Sequence, residues 1–81
     1  MLVTVHFYSY VKDLTGASQV TEELPAGATL EEFFKQIITR YPNLGALQKS
    51  VLLAVGVEYQ PRSYVLKEGD EVSIFPPVQG G

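Results

Sequence analysis

The chain of 81 residues has no cysteine, one histidine, and six basic residues with no run among them. Without thiols there can be no disulfide, and thiol usage says nothing about compartment. Lys12, Lys35, Arg40, Lys49, Arg62 and Lys67 are scattered, the formal charge is −3 and the pI about 4.9. Nucleic-acid binding gains from a basic face that releases counterions, and this chain lacks one. The mild acidic surplus suits docking to a basic protein surface. No apolar stretch approaches the roughly 20 residues that span a bilayer. The opening "MLVTVHFYSY" also lacks the basic region of a signal peptide. We expect a cytoplasmic protein with neither membrane nor nucleic acid among its partners.

Catalytic signatures are scarce as well. His6 has no cysteine as co-ligand, and a metal site needs several converging N, S or O donors, so no metal is expected. No nucleophile motif frames Ser9, Ser50 or Ser63. Neither "PAGAT" nor "AVGVE" has the glycine spacing of a phosphate-binding loop, so ATP chemistry must come from a partner. Glu31 and Glu32 fall in a first helical turn, where negative charge meets the positive end of the helix dipole. Glu22 and Glu23 alternate faces of a strand and cannot share one site. The acidic turn "EGDEV" has no calcium-loop spacing. All three acidic groups read as solvated structure.

What the chain does have is periodicity. Hydrophobic content of 46% against 19% charged is that of one small globular domain. Val3, Val5 and Phe7 alternate with Thr4, His6 and Tyr8, which is a strand with one face inward. Gly16–Ala17 marks a turn. In "SQVTEEL", Val20 and Leu24 share a face of a second strand, with Val11 and Leu14 folding back from the connection. Thr29 and Glu32 form a capping box ahead of Leu30, Phe33, Phe34, Ile37, Ile38 and Tyr41, an apolar stripe at helical period that Pro42 ends. "NLGALQKS" is a turn or short helical piece carrying Leu44 and Leu47 inward. "VLLAVG" suits a sheet interior, and Pro61 makes "VEYQPRSYVL" an edge or interrupted strand. Val72 and Ile74 alternate with Ser73 and Phe75 in a last strand. The fold expected is α+β, a mixed sheet of four to five strands with one main helix across one face. First and last strands are apolar and paired in parallel, which is the β-grasp, or ubiquitin-like, layout. Residues 1–75 form this domain and residues 76–81 an extended tail.

The tail is "PPVQGG". Pro76 and Pro77 stiffen the exit in a polyproline-like conformation, and Val78 and Gln79 lead to Gly80 and Gly81, a stem with a slim tip. Such a shape can carry a terminal carboxylate into another protein's narrow channel. Glycine accepts unusual backbone angles, and being achiral it cannot epimerise when its carboxyl is activated. We expect the free tail to be disordered.

Across its whole length the sequence resembles the small, sulfur-carrier subunit of molybdopterin synthase. The resemblance is carried by "VTVHFYSYVKDLTGAS", "LLAVGVEY" and "LKEGDEVSIFPPVQGG". The pattern FPPVxGG is the specific part, and it separates this group from the thiamin-pathway carriers that share the terminal glycines. One departure is Gly56, where family members often have asparagine. The resemblance implies that Gly81 is adenylated with ATP by a ubiquitin-activating-like adenylyltransferase, then thiocarboxylated by a persulfide sulfur donor. It implies that the tail then enters the large subunit and gives sulfur to cyclic pyranopterin monophosphate, twice, to build a dithiolene. The chain binds no cofactor itself, and catalytic acid and base groups are expected in the large subunit. The resemblance also matches Phe7, Tyr59 and Phe75 to positions used for docking on that subunit, although each also suits a sheet core.

Three alternatives stay open. The chain could be a ubiquitin-like modifier joined through Gly81 to lysines, a sulfur carrier for thiamin or another pathway, or an interaction domain with an inert tail.

Overall fold

The computed structural model describes residues 1–77. The expectations for Val78, Gln79, Gly80 and Gly81 lie outside the described residues. Alternation at the start of the chain becomes β1 (Leu2–Phe7), with Val3, Val5 and Phe7 turned inward. Its partner on one side is β2 (Gln19–Glu23), antiparallel, with Val5 opposite Val20. On the other side β5 (Glu71–Phe75) runs parallel to it, with Val5 opposite Val72. β3 (Leu52–Val55) pairs antiparallel with β5, and β4 (Glu58–Tyr59) forms the far edge. The five-stranded order β2-β1-β5-β3-β4 is the mixed sheet of a β-grasp, and it puts the last strand in the middle.

The capping box sets the start of the main helix. Thr29 Oγ1 accepts from Glu32 N at 3.2 Å, and Glu32 Oε1 accepts from Thr29 N at 2.9 Å. Leu30, Phe33, Phe34 and Ile37 are buried against the sheet, with Ile38 and Tyr41 packed at the margin. This helix, Leu30–Arg40, ends two residues before Pro42, and the chain continues as a 3₁₀ segment (Pro42–Leu47) that buries Leu44. Numbered in chain order it is α2, because a shorter helix precedes it.

That shorter helix, α1 (Val11–Thr15), stands where the sequence indicated only a connection. Five residues are too few to show a helical period, so only its end is marked in the sequence. There Gly16 takes φ 77° and its N–H returns to Lys12 O at 2.8 Å. Val11 is fully buried and Leu14 packs at the core's margin.

Glu22 requires a correction. It does alternate with Glu23, but instead of being solvated it is 4% exposed, on the inward face between Val20 and Leu24. Edge strand β2 lies within reach of α2. Glu22 Oε2 accepts from Gln36 Nε2 at 2.9 Å, and Oε1 accepts from Arg40 Nη1. Gln36 also donates to Glu23 O at 2.9 Å. A carboxylate supplied with donors on both oxygens can be buried where an unpaired one could not.

Candidate functional site

α2 covers one face of the sheet. On the other face, strand alternation gathers Thr4, His6 and Tyr8 beside Ser73 and Phe75, then Leu52 and Ala54, then Tyr59. Phe75 ends the central strand, directly before Pro76 and Pro77, both half-buried. Its ring stacks on Tyr8 with centroids 4.7 Å apart and planes 11° from parallel. On the other side it meets Tyr59 edge-on, at 6.2 Å and 70°. Both arrangements are favoured by aromatic quadrupoles. Tyr59 is 66% exposed and Tyr8 42%, so two large rings stand in solvent beside the root of the tail.

The three docking positions carried over from the family therefore divide. Tyr59 and Phe75 lie together on the open face. Phe7 does not: it is 2% exposed, shares the core face with Val3 and Val5, and meets Tyr41 edge-on at 5.6 Å. The ring on the open side of β1 is Tyr8, which the sequence reading missed as a site residue. The strand period did carry the signal, since it put Tyr8 with Thr4 and His6. What was lacking was the β1–β5 register, which sets His6 beside Ser73 and so brings Tyr8 to Phe75.

Tyr8 is held by its backbone. Its N–H donates to Ile74 O at 3.1 Å, extending the parallel ladder by one bond. Ser9 then takes φ 56°, the only positive φ of a non-glycine residue among the described residues. That left-handed step turns the chain into α1, whose first N–H groups return to Tyr8 O and Ser9 O at 3.1 Å each.

The other polar candidates have structural partners. His6 Nε2 and Glu71 Oε1 are 2.8 Å apart on the open face, and among the described residues no three metal-ligating side chains converge. Glu31 accepts from Arg62 Nη1 at 2.9 Å, while Arg62 also donates to Gln48 O at 2.7 Å. In the acidic turn, Glu68 accepts from Leu2 N at 3.0 Å and Asp70 from Lys67 N at 2.9 Å. The bond from Lys67 Nζ to Tyr64 Oη, 2.9 Å, is the main reason that the Lys67 pKa is raised above its ordinary value. No helix among the described residues is long and apolar enough to cross a membrane.

Comparison with known proteins bears on the same chain. The model of the ThiS family matches residues 5–81. The molybdopterin synthase sulfur carrier subunit of Chlamydomonas reinhardtii is 36% identical over 83 residues, covering 100% of both chains. Among solved structures, SAMP1 from Haloferax volcanii superposes with a TM-score of 0.86 at 20% identity, covering 100% of each chain. A chain from the complex of subunits 1 and 2 of the Helicobacter pylori molybdopterin-converting factor gives 0.70 at 23%, again covering 100% of both. At those identities the two structures show the fold alone.

Proposed function

The chain belongs to the ThiS family, and from that premise we propose that it is the sulfur-carrier subunit of a molybdopterin synthase. Gly81 holds the reacting carboxyl. A carboxylate resists nucleophilic attack, so an adenylyltransferase first joins it to AMP from ATP, releasing pyrophosphate. The terminal sulfur of a persulfide donor then displaces AMP to give an acyl disulfide, and a second thiol on the donor side cleaves its S–S bond, leaving a thiocarboxylate on Gly81 and a disulfide on the donor. Delivered into the large subunit, the thiocarboxylate sulfur bonds to cyclic pyranopterin monophosphate, and water then hydrolyses the acyl–sulfur bond, leaving the sulfur on the pterin and returning the Gly81 carboxylate. The small subunit supplies no acid, base or metal. Its own contribution is to bind, to point the stem and to keep the tip narrow. The cycle runs in the cytoplasm, where ATP is supplied.

One observation carries this reading: the central strand hands the chain to "PPVQGG" inside an exposed aromatic cluster. Rings in that position suit the buried centre of an interface. Tyr8, Tyr59 and Phe75 are thus the proposed contacts with the large subunit, which encloses the tail that leaves beside them.

Intact mass of the protein purified from cells tests the carrier role. A gain of about 16 mass units, one sulfur in place of one oxygen, confined to Gly81 is the expected result of this covalent change. Tails that are never thiocarboxylated, in cells making molybdenum cofactor, would sink the reading. High-mass conjugates lost on removing Gly81 would instead favour the modifier.

A further inference from the structure

We propose that the Tyr8–Phe75 stack is a splint for the root of the tail, which makes Tyr8 a positioning residue for sulfur transfer in addition to a docking contact. This rests on the carrier reading above. Phe75 is the last residue of β5, so the residue that carries the ring is joined directly to Pro76, the start of the stem. The ring is held from two directions, flat against Tyr8 and edge-on by Tyr59. Tyr8 in turn is fixed by its N–H bond to Ile74 O and by the left-handed turn at Ser9. Backbone strain of this kind persists only where its surroundings over-determine it, and it gathers at functional positions. Here it stops β1 where the Tyr8 ring can face Phe75.

The mechanical reason for a splint is leverage. Six residues, Pro76–Gly81, follow the cluster, and a chain of that length reaches about 20 Å when extended. For a chain of that length drawn out straight, a tilt of about 10° at the root moves the tip by about 3 Å. Misplacing a reacting atom by about 1 Å can cost about 100-fold in rate. Docking of the body does not by itself set this angle, which the stack fixes at the root before the large subunit encloses the tip.

The absence of cysteine gives a direct test. A spin label on Val78→Cys is unique in the chain and reports motion near the root without any partner. In the isolated protein, Tyr8→Ala should increase the label's mobility about twofold, and Tyr8→Phe should restore the parent value. Single-turnover sulfur transfer from unlabelled, thiocarboxylated chain, with the large subunit saturating, should fall about tenfold or more for Tyr8→Ala and stay near the parent rate for Tyr8→Phe. A label that moves without a change in saturated rate, or a rate that falls with an unmoved label, overturns the splint and leaves Tyr8 a docking residue. If the unsubstituted chain passes no sulfur at all, it is the carrier reading that fails, while the label still reports on the stack.

Discussion

Phe7 and Tyr8 are neighbours in sequence and lie on opposite sides of the sheet, since successive strand side chains point to opposite faces. The two aromatic residues at the strand ends, Phe7 and Phe75, should therefore respond differently to truncation. Phe7→Ala empties a fully packed position and should cost about 3–5 kcal/mol of folding stability, a large share of the roughly 5–15 kcal/mol that holds a domain together. Phe75→Ala should weaken binding to the large subunit about tenfold or more, about 1.4 kcal/mol, with a smaller loss in melting. Urea unfolding and titration of each variant check this. Unchanged affinity for Phe75→Ala with a large melting loss would count against the docking role. Strand alternation alone assigned Phe7 inward. Choosing Tyr8 required knowing which strand lies beside it.

Between elements, the contact absent from any sequence pattern is the one joining α2 to edge strand β2. Glu22 is buried in it while its partner Arg40 is about half exposed. Arg40→Met should leave the carboxylate underpaired and cost about 1–3 kcal/mol. Adding Glu22→Leu should recover much of that loss, because no buried charge is then left unpaired and Gln36 keeps its bond to Glu23 O. A double-mutant cycle by urea unfolding decides the point, and strictly additive losses would show that the pair is uncoupled. α2 itself was legible from its capping box and stripe, each a local device repeated over three turns. α1 was not, because a single turn contains no period and is stabilised by what Val11 buries.

At the scale of the whole molecule, the proposed function assigns folding to the body and reaction to the chain's last residue. Deleting Gly80 and Gly81 should leave the melting temperature unchanged, since neither has a side chain to bury and the buried core among the described residues runs from Val3 to Ile74. The same deletion should abolish pterin sulfuration in a reconstituted assay. A truncated chain that still supports sulfuration at the parent rate would remove the tail from the mechanism.

The sequence alone determined the mixed sheet with one main helix, the capped start and proline stop of that helix, and the inward faces of β1 and β2, because each is written in local periodicity or in a local motif. It also led to the parallel pairing of first and last strands, through their shared apolar character. Only the tertiary structure decided that Tyr8 rather than Phe7 borders the tail's exit, that Glu22 is buried, and that Ser9 turns the chain. Those outcomes depend on which strands are neighbours, in what register, and on which side the helix lies, and contacts between distant residues leave no local period to read.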